Sequence, residues 1–359
     1  MNNSVLNFDL INKIDTIQEI KKCDRLAIYG NGEVAYRIRV ILEENGISKY
    51  DIVVDDEYKE KLYKEDDSVK KLSELDCKIG IIIAILDYPN AEKKLSMLGF
   101  DKIFCMNRVF DTEEIQLEFF KENRKAFQQT YDWLVDQESK QVFKQYLKAN
   151  FTNNPRELYD QYCNHSLQYQ AYMDQIKKPF VWINGGAYIG DTLINFFESF
   201  GSKSFEKVYS FEPDKTNYQR LIENVEHKHF GKVECINKGL SNHQGNVSFW
   251  VDEKMTGGMK KVSEDSVSDY QIEVMTIDQL NISSNHIFIN LDIEGSELAA
   301  LEGAKETIIK NKPSLAISVY HKCDDLIRIP QYLKKLRPDY ELHLRIYMPW
   351  AEEMVLYAL

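Results

Sequence analysis

Short apolar runs alternate with amphipathic stretches through the first part of the chain. The runs "RLAIYG", "YDIVVDD", "KIGIIIAIL" and "DKIFCM" have the length and side-chain content of strands, and "EVAYRIRVILEENG" has helical spacing. Strands that alternate with helices form crossover units on a parallel sheet. The pattern therefore predicts a small Rossmann-like domain over residues 1–106.

Residues 107–178 have a different pattern, with few glycines and with apolar side chains at helical spacing. Most of these apolar residues are aromatic, and the set is Phe119, Phe120, Phe127, Tyr131, Leu134, Phe143 and Leu147. A helix with such a stripe has to bury it, so we interpret the stripe as core packing rather than as a ligand site. This segment is predicted to be a helical connector.

The alternation of strands and helices returns over residues 179–359. Strands are predicted at "FVWIN", "KVYSFEP", "VECINKGL", "HIFINLD" and "SLAISVY". The last stretch, "YELHLRIYMPWAEEMVLYAL", predicts two strands on either side of Pro349 that form a hairpin at the sheet edge. The predicted fold class of the whole chain is α/β, with two Rossmann-like sheets and a helical connector between them.

Charge and composition narrow the choice of partners. The 359 residues include 45 basic and 57 acidic side chains, a formal net charge of −12, which repels nucleic acid and anionic membranes. The six cysteines are scattered singly, and no CxxC pair or histidine-rich neighbour indicates zinc. We find neither a signal-peptide pattern nor an apolar run long enough to span a membrane. These features predict a cytoplasmic protein without a nucleic-acid partner, a membrane span or a metal.

The stretch "FVWINGGAYIGDT" ends a predicted strand in a glycine-rich turn. Glycine permits positive φ angles and a close approach of the backbone to a ligand. The helix that follows such a turn offers unpaired N–H groups and a partial positive charge. We predict that Asn184, Gly185, Gly186, Gly190 and Asp191 bind a cofactor.

Glu212, in "YSFEP", stands 22 residues after Gly190 at the end of the next predicted strand. A carboxylate at this position can accept hydrogen bonds from both hydroxyls of a ribose, which indicates a cofactor that contains a nucleoside. NAD and S-adenosylmethionine are the alternatives. The spacing G-G-x-x-x-G differs from the GxGxxG of NAD sites, and the polar Asn184 suits an ammonium group, so the sequence favours S-adenosylmethionine.

Three candidate catalytic residues follow two later predicted strands. Asp292 and Glu294 lie in "INLDIEGSE" and His321 in "SVYHK", so all three are expected at the carboxyl edge of the sheet, where ligands bind. His321 is the candidate base because its ordinary pKa, about 6.5, suits proton transfer near neutral pH. In the alternatives, His321 caps a strand end, or the three side chains hold a divalent cation or bind substrate hydroxyls. Asp292 is also expected to contact the cofactor, and residues 252–269 are predicted to be a lid over the acceptor.

Several of these stretches, in the order in which they occur, resemble the FkbM family of S-adenosylmethionine-dependent methyltransferases. They are "FVWINGGAYIGDT", "VYSFEPD", "GLSNHQGNVSF", "VMTIDQL", "FINLDIEGSELAALEGA" and "ISVYHKCDDLIRIPQYLKKL". The resemblance covers residues 180–359. It implies a class I methyltransferase sheet of seven strands that ends in a reversed hairpin. It also implies methyl transfer to a hydroxyl of a sugar, a glycan or a secondary metabolite.

The chain departs from the family pattern at two positions. Asn184 replaces the acid at the end of the first strand, and Asn290 replaces the lysine two positions before Asp292. The first change removes a charge that would help to hold the amino group of the cofactor. The second removes a cation beside the candidate catalytic acids.

The first domain carries a second glycine turn, "YGNGEVAYRI". Gly30, Gly32 and Ala35 form a GxGxxA pattern, and Asp55 and Asp56 end the next predicted strand. This pattern resembles the nucleotide-binding-like domain that precedes some bacterial sugar-modifying enzymes. It predicts a nucleotide-linked sugar as ligand. The alternative is a structural domain that forms a homodimer surface.

Two other functions compete with O-methyl transfer in the synthesis of glycans or secondary metabolites. The first is an NAD-dependent sugar oxidoreductase that uses the first glycine turn, although no YxxxK pair follows it. The second is a non-catalytic protein that binds S-adenosylmethionine or a nucleotide.

Overall fold

In the computed structural model of the protein, the described residues are 6, 8, 15–106, 113–163, 168–251, 259–261 and 270–359. They divide into two compact units. Unit 1 comprises Met1–Arg124, Gln141–Tyr162 and Ile346–Glu353, and unit 2 comprises Lys125–Lys140, Cys163–Arg345 and Met354–Leu359. The residues of the predicted connector are shared between the two units, and the three-part division into functional domains stays a prediction.

Unit 1 contains a parallel sheet of five strands, as the alternating pattern predicted. The strands are β1 (Leu26–Tyr29), β2 (Asp51–Val54), β3 (Val69–Lys71), β4 (Gly80–Ile83) and β5 (Ile103–Phe104). They are ordered β3-β2-β1-β4-β5, the order of a Rossmann half-sheet. Every side chain of β1 and β4 is buried, which explains their unbroken apolar runs.

The helices of unit 1 precede, connect or follow these strands. They are α1 (Thr16–Lys21), α2 (Glu33–Glu44), α3 (Asp56–Leu62), α4 (Tyr88–Met97) and α5 (Leu117–Glu122). Asp87 caps α4 by accepting from the Asn90 N–H, and Pro89 occupies the first turn, where its missing N–H is tolerated. Both features begin the helix sharply after β4.

Part of the aromatic stripe of the predicted connector packs in unit 1. Phe120 of this stripe packs edge to face against Phe8, with ring centroids 5.4 Å apart, and Phe151, which was not in the predicted set, packs against the same ring at 5.2 Å. The segment Ile346–Glu353 also belongs to this unit, where Trp350 is fully buried and its indole N–H donates to Leu86 O at 3.1 Å. The aromatic residues therefore serve the core, as predicted.

Two further helices, α6 (Arg124–Trp133) and α7 (Gln137–Thr152), lead toward the second sheet. The strands that follow are β6 (Phe180–Gly185), β7 (Phe205–Phe211), β8 (Val233–Ile236), β9 (Gly239–Leu240), β10 (Gly245–Val251), β11 (Met259–Lys261), β12 (Tyr270–Met275), β13 (Ile287–Leu291), β14 (Ser314–Ser318), β15 (Leu342–Ile346) and β16 (Met354–Ala358). The helices among them are α8 (Asp191–Phe200), α9 (Lys215–His227), α10 (Glu297–Glu302), α11 (Lys305–Asn311) and α12 (Asp325–Leu336).

Seven of these strands form the main sheet of unit 2, in the order β15-β16-β14-β13-β6-β7-β8. Strands β14, β13, β6, β7 and β8 run parallel, and β16 pairs antiparallel with β14. The predicted fold class and the reversed hairpin are therefore confirmed. A smaller sheet has the order β11-β10-β12-β9. Within the described ranges, no helix combines the length and the apolar character that a bilayer crossing requires.

Candidate active site

Four adjacent strands of the main sheet place the predicted site residues at one edge. In the order β14-β13-β6-β7, all four strands are parallel, so their carboxyl ends face the same way. His321 follows β14, Asp292 follows β13, Gly186 follows β6 and Glu212 follows β7. This edge is where ligands bind in open α/β sheets.

The turn after β6 needs glycine for steric reasons. Gly186 has φ +80°, and a Cβ on it would lie 1.8 Å from Asp292 O. The Asp292 N–H donates to Gly185 O at 3.1 Å, so the turn lies directly against the chain that leaves β13. Gly190, with φ +88°, begins α8. Gly186 can therefore carry no side chain in this backbone arrangement.

Glu212 is held beneath this turn by two backbone groups. Its Oε2 accepts from the Tyr188 N–H and its Oε1 from the Asp214 N–H, both at 2.9 Å. Burial raises the pKa of the carboxyl to about 7, although these two hydrogen bonds act in the opposite direction. The Asn217 side chain also contributes a hydrogen bond to this carboxylate. An ionised carboxylate has about four acceptor positions, so acceptor capacity remains for a ribose.

Asn184 lies at the end of β6 in a chain of buried amides. The indole N–H of Trp182 donates to Asn290 Oδ1 at 2.6 Å, and Asn290 Nδ2 donates to Asn184 Oδ1 at 3.0 Å. An indole nitrogen can only donate, so this contact determines the orientation of both amides. Asn184 is fully buried, and its Nδ2 has no hydrogen-bond partner among the described residues. The Asn184 Nδ2 group can only donate, so it suits a hydrogen-bond acceptor atom on the cofactor. It does not suit the ammonium group of the cofactor, which the sequence analysis had considered.

The two departures from the family pattern are therefore neighbours in space. Asn184 and Asn290 are register partners on β6 and β13 and share a hydrogen bond. A single replacement of an acid or a lysine by asparagine would leave the other charge buried without a counterion, which is costly. The paired asparagines keep this position neutral and hydrogen-bonded.

Asp191 differs from the other predicted cofactor residues. It is exposed, and its Oδ1 accepts from the adjacent Thr192 N–H at 2.9 Å. This hydrogen bond of Asp191 therefore lies within the first turn of α8.

His321 lies between carboxylates on both sides of its ring. Its Nε2 is 3.4 Å from Asp292 Oδ1 and 3.7 Å from Glu294 Oε2. Its Nδ1 is 3.0 Å from Glu297 Oε1, the shortest of its contacts with carboxylates. The structure therefore brings the three predicted catalytic residues together and adds a fourth, Glu297.

Glu297 was missed in the sequence because it is one of many acids in the first turns of helices. It is 1 % exposed, and its Oε1 accepts from the Ile293 N–H at 2.8 Å and the Gly295 N–H at 3.3 Å. The charge of the buried His321 outweighs the effect of burial and lowers the pKa of Glu297. Its position in "DIEGSE", three residues after Glu294, was the available signal.

The pKa of His321 differs from the value assumed for a base. Burial by itself would lower it, but the charges of Glu297, Asp292 and Glu294 raise it well above its ordinary value. Burial, with the charge of Glu297, raises the pKa of the nearby Asp325 to about 7. The surrounding carboxylates therefore favour the imidazolium form, in which both ring nitrogens are donors.

Asp292 receives further hydrogen bonds from tyrosines. The Tyr169 hydroxyl donates to Oδ2 at 2.5 Å, and the Tyr320 hydroxyl donates to Oδ1 at 3.3 Å. Tyr169 is 4 % exposed and belongs to the segment predicted as connector, where sequence alone gave no reason to place it at the site. The side chain of Asp292 is thus held in one orientation.

Ligand atoms of Asp292, Glu297 and His321 lie within 4.8 Å of one another, the spacing of a metal site. Metal ligation requires a neutral imidazole, whereas the carboxylates around this ring raise its pKa and favour the imidazolium. Glu297 is also engaged by two backbone N–H groups. The arrangement fits a charge-balanced cluster better than a metal centre. Except for 259–261, the predicted lid at 252–269 lies outside the described residues.

A glycine turn and a buried glutamate after the next strand, with a cluster of carboxylates and imidazole on the same sheet edge, form an arrangement typical of enzymes that use a nucleoside cofactor. Residues 184–341 match the family model of the methyltransferase FkbM domain. The chain therefore carries an FkbM methyltransferase domain and is a methyltransferase, as the resemblance predicted. This match favours methyl transfer over the oxidoreductase and over a non-catalytic binding protein.

Solved structures are similar to this chain. A methyltransferase FkbM from Methylobacillus flagellatus KT is 22% identical, with 97% of this chain and 94% of that chain covered and a TM-score of 0.66. This likeness supports the fold. A SAM dependent methyltransferase from Aquifex aeolicus is 11% identical, with 57% and 97% covered and a TM-score of 0.29, too weak a likeness to carry an argument. A search of the curated proteins found no match.

The cofactor of this methyltransferase is S-adenosylmethionine, which the residues present can hold. Glu212 has acceptor positions left for the ribose, and the buried Asn184 Nδ2 is a donor without a described partner. The turn at Gly186 leaves backbone free of side chain next to Asp292. The family match and these three features all support S-adenosylmethionine as the cofactor.

Proposed function

We propose that the protein transfers the methyl group of S-adenosylmethionine to a hydroxyl oxygen of a sugar, a glycan or a secondary metabolite. One observation carries this proposal: the turn that fits the cofactor is hydrogen-bonded to the residue that begins the charged cluster. The Asp292 N–H donates to Gly185 O at 3.1 Å, and the Asp292 side chain lies 3.4 Å from His321. Methyl donor and proton acceptor would therefore be neighbours.

Methylation of a hydroxyl is an in-line displacement that requires alignment and removal of one proton. The bound cofactor supplies a methyl group activated by a positively charged sulfur. Glu212 binds the ribose. Asp292, which accepts hydrogen bonds from Tyr169 and Tyr320, keeps the glycine turn next to the charged cluster. These residues position the reactants rather than take the proton.

We assign proton removal to Glu294 instead of His321. The carboxylates around His321 raise its pKa and favour the imidazolium, and an imidazolium cannot act as a base, so the proposal changes the role expected from the sequence. The Glu294 side chain is 45% exposed and 3.7 Å from His321 Nε2, so it can face both an acceptor and the imidazolium. As the acceptor oxygen gains the methyl group, its proton passes to the Glu294 carboxylate, and His321 stabilises the charges of the cluster.

Turnover of Glu294→Gln and His321→Ala tests the proposal, with S-adenosylhomocysteine formation measured over a panel of sugars, glycans and other hydroxyl and amine acceptors. Loss of a general base typically costs about 10²–10⁴-fold in rate, and we expect both variants to lose turnover while cofactor affinity stays near normal. Glu302→Gln, exposed on the same helix as Glu297, is the control. Undiminished turnover in both variants, or methylation of amines alone, would refute the assignment.

Unit 1 is the proposed site of a nucleotide-linked sugar that serves as the acceptor or its carrier. Support comes from the strand order, which reverses between β1 and β4, and from the turn at Gly30, where a Cβ would lie 2.4 Å from Ala84 O. Asp55 follows β2 and pairs with Lys94 at 2.7 Å. Thermal-shift measurements on the full chain with nucleotide sugars and NAD should show stabilisation that Asp55→Asn weakens. The absence of a shift with every ligand would favour a structural unit.

Two further expectations remain proposals. We propose a homodimer, which light scattering across a concentration series tests, and a monomer at every concentration would contradict it. The six cysteines are all free thiols, which suits the reducing cytoplasm. Fractionation of producing cells would check that location.

A further inference from the structure

Glu297 is the most buried charged group around His321 and makes the shortest contact with it. The two side chains are separated by 3.0 Å between Oε1 and Nδ1, and both have relative exposures below a tenth. The interaction of opposite charges at such a distance is strong where water is excluded. Asp292 and Glu294, at 3.4 and 3.7 Å, contact the other ring nitrogen.

Backbone groups hold Glu297 in this position independently of the histidine. Its Oε1 accepts from the Ile293 N–H and the Gly295 N–H, which belong to the turn between β13 and α10. The same turn carries Asp292 and Glu294, and Glu294 has a left-handed φ of +54°. One carboxylate thus connects the turn that presents the two acids to the histidine that faces them.

We propose that Glu297 is a positioning residue that holds His321 as an imidazolium, with its Nε2–H directed at the two carboxylates of the β13–α10 turn. The inference deepens the proposed function and rests on it for its catalytic meaning. Glu297 does not touch the reacting atoms. It acts through His321, which keeps the carboxylates oriented and balances their charge.

The groups that face His321 come from three parts of unit 2. Asp292 and Glu294 lie on the turn after β13, Glu297 on α10 and Asp325 on α12. Asp325 Oδ2 accepts from the Lys322 N–H at 2.8 Å, and burial raises its pKa to about 7. Asp325 is therefore neutral in a large fraction of molecules near pH 7, and Glu297 is the buried anion next to the ring.

The test is the titration of His321 in the full chain, followed by the ring ¹⁵N resonances of ¹⁵N-histidine-labelled protein. His321→Gln identifies the resonances. In the wild type we expect both ring nitrogens to remain protonated at about pH 8, well above the ordinary range of histidine. A neutral ring at that pH would overturn the proposal without any variant being made.

Glu297→Gln should lower the titration midpoint of His321 by roughly 1–3 pH units, the usual effect of an adjacent opposite charge. Glu297→Asp keeps the charge but withdraws it by one methylene, so an intermediate midpoint is expected and provides a second variant should Glu297→Gln not fold. Glu302→Gln, exposed on the same helix, should leave the midpoint unchanged. An unaltered midpoint in the Glu297 variants would overturn the proposal.

This experiment separates the inference from the proposed function because it involves no methyl transfer. If the protonation of His321 depends on Glu297 but the protein methylates no hydroxyl, the proposed function alone is refuted. A neutral His321 in a protein that does methylate hydroxyls would refute the inference alone. When both hold, Glu297→Gln should shift the pH profile of turnover together with the His321 midpoint.

Discussion

Acidification should weaken cofactor binding through a single carboxyl group, that of Glu212. Burial raises its pKa to about 7, so the group changes charge within the physiological range. Both of its oxygens already accept backbone N–H groups, from Tyr188 and Asp214. The two ribose hydroxyls need the acceptor positions that remain, and protonation removes one of them. The ionised form is therefore the form that binds.

The size of the effect follows from the titration of one group. For a pKa of about 7, roughly nine-tenths of the molecules are ionised at pH 8 and about one-thirtieth at pH 5.5. If only the ionised form binds, the Kd for S-adenosylmethionine or S-adenosylhomocysteine should rise about thirty-fold over this range. Binding should also release a proton below neutral pH, because it stabilises the charged form.

Isothermal titration calorimetry at several pH values, in buffers of different ionisation enthalpy, measures both quantities. Glu212→Gln is the necessary control, since Asp325 also has a pKa of about 7 and titrates over the same range. The variant should bind weakly at every pH and show no pH dependence. A Kd that is constant from about pH 5.5 to 8, or the same slope in the variant, would refute the assignment of Glu212 to the ribose.

The raised pKa of Glu212 also affects stability. The folded state holds the proton more tightly than the unfolded state, so this group favours folding below its unfolded pKa of 4.5 and the advantage is lost as the pH rises to about 7. The difference is about 3 kcal/mol, from about 1.4 kcal/mol per pKa unit. Thermal melts of the cofactor-free protein should therefore show this pH dependence in the wild type and not in Glu212→Gln. Identical pH profiles in the two proteins would contradict it.

Three other predictions follow from the same edge of the sheet. Gly186→Ala should abolish cofactor binding and lower the melting temperature, because residue 186 has φ +80° and the new Cβ would lie 1.8 Å from a backbone oxygen. Gly231→Ala is the control and should change neither property, because a Cβ at that position has no atom within 4 Å. Normal binding by Gly186→Ala would contradict the steric argument. Trp182→Phe should lower the free energy of unfolding, measured with denaturant, by about 1–3 kcal/mol, because Asn290 Oδ1 loses its buried donor. An unchanged stability would show that Asn290 Oδ1 finds another hydrogen-bond donor in the variant. Chelators should leave turnover unchanged, since the carboxylates around His321 raise its pKa and favour the imidazolium over a metal ligand. Activity lost to a chelator and restored by a divalent cation would reverse that conclusion.

The features of the site that the sequence indicated depend on local chemistry. The glycine turn was recognisable because only glycine tolerates the backbone at Gly186, and its position after an apolar run indicated the end of a strand. Asp292, Glu294 and His321 were expected to converge because the ends of parallel strands meet at one edge, and the two carboxylates lie 3.4 and 3.7 Å from His321 Nε2.

The features that the sequence did not indicate depend on the surroundings of each residue in the folded chain. The basicity of His321 was taken from its ordinary pKa, whereas Glu297 and burial determine it in the folded chain. The pairing of Asn184 with Asn290 was not foreseen, because strand register brings together residues more than a hundred positions apart. The contact of Tyr169 with Asp292 spans a similar separation and leaves no periodic signal.

The sequence by itself determined the alternation of strands and helices, the places where the strands end and the residue types available there. These properties are set by side-chain size, polarity and backbone freedom, which act over a few neighbours. Only the tertiary structure decided the protonation of His321, the donor left at Asn184 and the raised pKa of Glu212. Burial and the distance to distant charges set these properties, and neither exists until the chain has folded.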